Sequence, residues 1–159
     1  MFGALMRMIP HWPNFTPVAA LALFGGALYG RKWLAFIIPL GAMFLSDLVL
    51  GLHQGIIAVY LAFALVVLLG FGLGQKPGAL KLGAFTLIAS LIFFIITNFA
   101  VWLGGIMYPL TFAGLMACYT AALPFFLNSV LGNIFFVSLF FGAWYLLTLR
   151  FPALQEKRV

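Results

Sequence analysis

The chain has 159 residues, of which 66% are apolar and 6% are charged, and its formal net charge is +6. Soluble domains average about 45–50% apolar and about 25% charged residues, so this composition excludes an ordinary soluble protein. Backbone inside a bilayer must satisfy its own hydrogen bonds, and the apolar runs do not alternate every second residue as barrel strands do. We therefore predict an all-α, polytopic transmembrane helical bundle.

Turn residues and charges divide the chain, taken as one transmembrane domain over 1–159, into apolar segments that approach the roughly 20 residues needed to cross a bilayer. Pro17 suits the first turn of the first segment, where its missing N–H costs nothing. The clearest loop is GQKPGALK at 74–81. The predicted spans are 16–31, 33–52, 55–74, 82–103 and 128–149.

The segment 104–127 is apolar but bends at Pro109, Gly114 and Pro124, and charge decides how it is placed. If it does not cross, seven of the eight basic residues fall on one side of the membrane, which is a strong positive-inside pattern. We therefore predict five full spans, an outer N-terminus, and 104–127 as a re-entrant or outer surface helix. The alternative is a sixth span, which would move the C-terminal basic cluster outside.

Under this topology, nearly every side chain that could bind a ligand lies in the outer half of the bundle. A charged side chain inside the bilayer costs about 2.5–3.5 kcal/mol on insertion scales, so Asp47 is expected to face the bundle interior and to have a partner. The candidate ligand-binding residues are His11, Trp12, Asn14, Asp47, His53, Asn98, Trp102, Tyr108, Cys118, Tyr119, Asn128 and Asn133.

Structural roles compete with these assignments. Asp47 and the asparagines could serve only as interhelical hydrogen bonds, each adding about 0.6 kcal/mol. Cys118 could instead serve only in packing, as a small buried apolar residue. Ala22, Gly26 and Gly30 recur every fourth residue, a stripe that lets a helix approach closely, either within the chain or on a partner subunit.

Other functional classes find little support. The basic residues are better explained by topology and membrane lipids than by nucleic acid. The sequence contains no HExxH or CxxC spacing and no GxxxxGK[ST] loop, and its single cysteine excludes an internal disulfide. We predict no metal site, no cofactor and no enzymatic activity, since the two histidines, one cysteine and one buried acid specify no reaction by their spacing.

Two stretches carry a resemblance to known membrane proteins. They are HWPNFTPVAALALFGGALYGRKWLAFIIPLGAMFLSDLVLG near the N-terminus and ALPFFLNSVLGNIFF further along. Together they resemble a family of small bacterial membrane proteins of uncharacterised function. That family in turn resembles the substrate-binding S components of energy-coupling-factor (ECF) vitamin transporters.

The S-component resemblance implies a compact bundle, commonly of six helices, with a vitamin pocket closed by outer loops. The stripe Ala22, Gly26 and Gly30 is similar to the motif that docks on the transmembrane coupling subunit, which cytoplasmic ATPases drive. The LSDLVLG turn is similar to the acid-bearing end of a middle helix, and LPFFLNSVLGN to the junction near the ligand.

The sequence therefore predicts a multi-pass protein of the bacterial inner membrane that binds a small vitamin-like molecule from the outer side for uptake. Its partners would be lipids, the ligand and an ECF-type coupling subunit or other membrane subunits. The alternative is a structural or accessory subunit of a larger inner-membrane complex.

Overall fold

The structure is a computed structural model that describes residues 14–51 and 55–151, and at Leu50 the backbone only. All regular structure in these residues is helical. The five helices are α1 (Val18–Leu28), α2 (Lys32–Leu50), α3 (Ile56–Phe71), α4 (Ala79–Leu103) and α5 (Phe112–Arg150). The expectation of an all-α fold is confirmed for the part of the chain that is described.

Glycines occupy both sides of the turn between α2 and α3. Gly51 ends α2 with φ of 93°, and Gly55 precedes α3 with φ of 84°. Only glycine adopts such left-handed backbone without steric cost. These residues allow a sharp reversal, and they explain why the expected boundaries at 52 and 55 are close to the observed ones.

The main difference from the sequence-based segmentation is at α5, which runs unbroken from Phe112 to Arg150 through the expected boundary between 127 and 128. Thr111 caps its start by accepting a hydrogen bond from the Gly114 N–H at 3.1 Å. Pro124 lies inside the helix, where its ring nitrogen cannot donate to the Thr120 carbonyl. Because one missing bond does not end a long helix, α5 continues through Pro124 and past the predicted boundary at 127.

The short helix α1 lies at the centre of the bundle and contacts each of the other four described helices. Its buried residues cover most of its circumference, which is expected of a helix that is apolar all round. Phe24 packs edge-on against Phe141 of α5 with ring centroids 5.2 Å apart. The other helices therefore share α1 as their common packing surface.

The contact between α1 and α3 depends on two glycines. A Cβ added at Gly26 would meet the Val67 carbonyl oxygen and would lie 2.9 Å from Gly70 Cα. A Cβ added at Gly70 would lie 2.6 Å from the Leu23 carbonyl oxygen. Backbone therefore packs directly on backbone here, and Gly26 of the small-residue stripe is used within the chain.

Three helical segments are long and apolar enough to cross a membrane, namely Lys32–Val49, Ala79–Leu103 and Phe112–Arg150. The remaining helices, α1 and α3, are apolar but shorter, with 11 and 16 residues. Large apolar side chains cover much of the surface, including Ile57, which is 82% exposed, and Val49, which is 66% exposed. These properties are compatible with a location in a membrane.

Successive helices alternate in direction, so the bundle has two ends. The end formed by the start of α1, the end of α2, the start of α3, the end of α4 and the start of α5 is called the cavity end below. The opposite end is called the basic end, because it carries every lysine and arginine of the described residues: Arg31, Lys32, Lys76, Lys81 and Arg150.

Substituting Gly26 by alanine should destabilise the bundle. The added methyl group meets backbone that cannot move aside, and overpacking of this kind costs typically about 1–3 kcal/mol. The measurement is the midpoint of thermal unfolding in detergent. Gly41→Ala on α2 is the control, since nothing lies within 4 Å of its added Cβ. Equal midpoints for the two variants would contradict the assigned contact.

Candidate functional site

A cavity of about 260 Å³ lies at the cavity end of the bundle. Its wall is made by four parts of the chain: the segment before α1, the start of α3, the last three turns of α4 and the middle of α5. The lining residues are Asn14, Gly55, Val59, Phe93, Phe94, Thr97, Asn98, Val101, Phe125, Phe126 and Ser129.

The cavity is a consequence of the short length of α1. At 1.5 Å per residue, α1 is about 16 Å long, whereas α4 is about 37 Å long. A smaller cavity of about 30 Å³ adjoins the first, sharing Asn14, Phe93 and Ser129 with it, and Thr16 and Ala19 line it at the beginning of α1. Among the described residues, the space above the first turn of α1 is therefore left unfilled.

Polar groups of α4 line the cavity wall with one Asn98 donor and the Thr97 hydroxyl donor already engaged. The Asn98 Nδ2 donates to the Phe94 carbonyl at 2.8 Å, and the Thr97 Oγ1 donates to the Phe93 carbonyl at 2.8 Å. Each of these bonds leaves side-chain oxygen lone pairs as acceptors. A ligand here would donate to the side-chain Oδ1 of Asn98 and to the Thr97 hydroxyl oxygen.

The cavity is uncharged on every described side. None of its described lining residues carries an ionisable side chain. Flat apolar surface is supplied by Phe93, Phe94, Phe125 and Phe126. Such a wall offers no counter-charge to an ion, and burying an unpaired charge is costly. The arrangement suits a small neutral molecule with an apolar or planar body and a few hydrogen-bonding groups.

Asn14 contributes a second amide from the segment that precedes α1. Its φ of 64° lies in the left-handed region, where asparagine is several-fold enriched among non-glycine residues. It lines both cavities. Together with Asn98, it places amide groups on two different walls.

Asn133 lies at the smaller cavity but also joins two helices. Its Nδ2 donates to the Ser90 Oγ of α4 at 2.9 Å, and the Ser90 hydroxyl donates onward to the Thr86 carbonyl at 3.0 Å. Both side chains are buried. Asn133 therefore makes an interhelical hydrogen bond, which is the structural role given above as the alternative to ligand binding.

Asp47 is not in the cavity wall. It lies on α2, is 1% exposed, and its Oδ2 accepts a hydrogen bond of 2.8 Å from the Tyr60 hydroxyl on α3. This bond joins α2 to α3 at the cavity end. The expectation that Asp47 faces the bundle interior and has a partner is confirmed, and the partner is Tyr60.

Three further candidates join α4 to the following loop or to α5, and a fourth lies in that loop. The Trp102 Nε1 donates to the Pro109 carbonyl at 3.0 Å, and the Tyr119 hydroxyl donates to the Ile95 carbonyl at 2.7 Å. Buried Cys118 directs its Sγ toward the Asn98 carbonyl at 3.5 Å. Tyr108 is half-buried in the intervening loop. None of these four side chains lines either cavity.

The remaining predicted residues are distributed as follows. His11, Trp12 and His53 lie outside the described residues. Asn128 is half-buried on α5 and lines neither cavity. In the stripe, Ala22 and Gly26 are buried and Gly30 is exposed, so docking of a partner on all three stays a prediction.

Several cavity residues were missed at the level of the sequence, chiefly Thr97, Ser129 and the phenylalanines. A signal for them was present, because Phe93 and Phe94 precede Thr97 and Asn98 by four residues, a spacing that places each pair on one helix face. The same spacing relates Phe125 to Ser129. Among the described residues, no group of three or more histidine, cysteine, aspartate or glutamate residues could hold a metal ion.

A model of one protein family, described as a family of unknown function (DUF6580), matches residues 1–154. The chain belongs to this DUF6580 family. Comparison with curated proteins and comparison with solved structures give no match. Both cavities and all five described helices lie inside the matched region, so the DUF6580 match covers the whole candidate site.

Replacing Tyr60 by phenylalanine should destabilise this DUF6580 chain. Removing the hydroxyl takes a donor from a buried carboxylate, a loss of about 1–3 kcal/mol. The readout is the unfolding midpoint in detergent. Tyr29→Phe is the matched control, because the Tyr29 hydroxyl makes no hydrogen bond within the described part of the chain. If Tyr60→Phe is as stable as wild type, the Asp47 bond does not hold α2 to α3.

Proposed function

We propose that this DUF6580 chain is a multi-pass protein of the bacterial inner membrane that binds a small vitamin-like molecule from the outer side and takes part in its uptake, as S components of ECF transporters do. One observation carries the proposal: one end of the bundle holds a cavity whose described wall is uncharged and includes amides, hydroxyls and phenyl rings. All basic residues of the described part lie at the other end.

Topology supports entry of the ligand from outside. Five alternating helices that each cross the membrane would put the basic end in the cytoplasm, in accord with the positive-inside rule. The cavity end would then face outward. The short helix α1 fits this arrangement because it packs against the other four described helices and need not span the lipid by itself.

The cavity supports a small ligand. Small-molecule sites commonly measure about 300–1,000 Å³ and combine an apolar lining with a few polar groups that set orientation. The larger cavity, at about 260 Å³, is close to the lower limit of that range. The start of α1 adds backbone N–H donors to the site, since no side chain within the described residues caps its N-terminal N–H groups. A ligand carbonyl would be favoured there.

Release of the ligand into the cytoplasm requires a partner or a movement of the bundle, because the sequence has no phosphate-binding loop of its own. An ECF-type coupling subunit is the proposed partner. The proposal does not rest on the small-residue stripe, since Gly26 lies against the backbone of α3.

Asn98→Ala should weaken ligand binding by roughly two- to tenfold, the effect of losing one hydrogen bond worth about 0.5–1.5 kcal/mol. The measurement is the shift in thermal unfolding when purified protein is titrated with each member of a panel of water-soluble vitamins and their precursors. Asn128→Ala is the control, being the same change on a residue outside the cavity. Equal weakening by both variants, or no shift with any compound, would favour the alternative of an accessory subunit.

Val59→Phe should abolish binding by filling the cavity, while the unfolding midpoint of the ligand-free protein stays within a few degrees of wild type. Val59 lines the cavity wall on α3, so a larger side chain there occupies ligand volume. Leu68→Phe places the same ring on the same helix at an exposed position and should bind normally. Normal binding by Val59→Phe would show that the ligand lies elsewhere.

A further inference from the structure

The smaller cavity lies about one helical turn further into the bundle than the larger one. On α3, Phe63 lines the smaller cavity, and it lies four residues after Val59 of the larger. On α5, Asn133 lies four residues after Ser129, which lines both. A cavity needs about 10–15 Å³ to admit a water molecule. The smaller cavity, at about 30 Å³, therefore admits one small functional group at the inner end of a ligand, and it is called the inner subsite below.

A chain of hydrogen bonds fixes the orientation of the Asn133 amide. The Thr86 backbone carbonyl can only accept, and it accepts the Ser90 hydroxyl proton at 3.0 Å. The Ser90 hydroxyl has no second proton, so at 2.9 Å from the Asn133 side chain its Oγ accepts from Nδ2. The Asn133 Oδ1 is therefore the amide atom that is left for other contacts.

The Asn133 Oδ1 is a buried acceptor at the inner subsite. Asn133 is 5% exposed, it lines this subsite, and its Oδ1 accepts no hydrogen bond within the described residues. A buried acceptor without a donor is costly, so a ligand that supplies the donor is favoured. The Oδ1 atom therefore selects for a ligand group that carries an N–H or an O–H.

Donor groups contribute to the same small space. Ser129 is 7% exposed and lines both cavities, and its hydroxyl makes no hydrogen bond within the described residues. Ala19 lines the inner subsite from the first turn of α1, where backbone N–H groups have no partner within the helix. A hydroxyl proton and helix N–H groups together suit a carbonyl oxygen of the ligand.

This combination of an acceptor with several donors distinguishes among ligand groups. A carboxylate has no proton for Asn133, and it would bring a charge to a space whose described lining residues include no ionisable side chain. An ester also lacks the proton, and an ammonium group cannot accept from Ser129 and is charged as well. A carboxamide is neutral and planar and, unlike a hydroxyl, presents its donors and its acceptor on separate atoms.

We infer that the inner subsite holds a neutral carboxamide group of the ligand, with its N–H donated to the Asn133 Oδ1 and its carbonyl oxygen accepting from Ser129 and the start of α1. The ring that carries the carboxamide lies in the larger cavity, beside Phe93, which lines both spaces. Asn133 sets the specificity, and Ser90 is a positioning residue that acts through it. The inference rests on the proposed function, since a ligand must first enter the larger cavity.

The test is isothermal titration calorimetry of the purified full chain in detergent with three probes that share one pyridine ring: nicotinamide, nicotinate and methyl nicotinate. Nicotinamide carries the carboxamide, whereas nicotinate is charged and methyl nicotinate is neutral but has no N–H. Nicotinamide should bind about tenfold more tightly than either of the others, because they leave the buried Oδ1 without a donor. Equal or tighter binding of nicotinate or methyl nicotinate would overturn the inference, as would the failure of nicotinamide to bind.

Ser90→Ala tests the orientation of the amide. Without the Ser90 Oγ, the Asn133 side chain can turn, so the preference for nicotinamide over methyl nicotinate should fall about threefold or more. A loss of stability alone would weaken both probes equally and leave this ratio unchanged. Ser46→Ala is the matched control, because Ser46 is also buried and donates to a carbonyl of its own helix but lines neither cavity. An unchanged ratio in Ser90→Ala, or the same change in both variants, would contradict the role of Asn133.

Val59→Phe separates this inference from the proposed function. If a compound of the vitamin panel binds wild type but not Val59→Phe, and nicotinamide shows no preference over the other two probes, the cavity is a ligand site and only the carboxamide assignment is wrong. If neither nicotinamide nor any panel compound binds, the inference and the proposed function are both wrong. Preferential binding of nicotinamide that Val59→Phe abolishes supports the two together.

Discussion

The rest of the bundle depends on the close approach of α1 and α3. Gly26 and Gly70 bring two backbones together with no side chain between them. In lipid, where the acyl chains are as apolar as the core, packing of this kind is a principal source of helix association. It fixes a short helix in the middle of the molecule, and the longer helices α4 and α5 then extend past it. The cavity is the space that remains above its first turn.

The apolar character of the helices also explains how the polar side chains are used. Most of them bond to a carbonyl of their own helix or of the neighbouring one, as Thr97 and Tyr119 do. Asp47 is held by Tyr60, and Asn133 by Ser90. Each of these bonds removes a donor or an acceptor from contact with lipid. Among the described residues, the polar groups that line the larger cavity are the side chains of Asn14, Thr97, Asn98 and Ser129.

Fold class, approximate helix positions and the segregation of charge could be predicted from the sequence, because composition and turn residues act locally. The course of α5 could not, since whether Pro124 breaks a helix depends on the packing around it. The candidate site was predicted in part. Asn14, Asn98 and Asn133, which the sequence predicts to bind a ligand, each line a cavity at the cavity end, and their role in binding stays a prediction. The sequence could not distinguish these cavity-lining residues from Asp47 and Tyr119. The position of a residue along its helix does not determine which face of the helix it occupies.

The continuity of α5 links the two ends of the molecule. Ser129 in the cavity wall and Thr148 at the basic end lie on one uninterrupted helix, about 28 Å apart along its axis. A rotation of this helix about its own axis turns both residues by the same angle. A change in packing at the cavity end is therefore transmitted through α5 to the basic end without an intervening break in the helix.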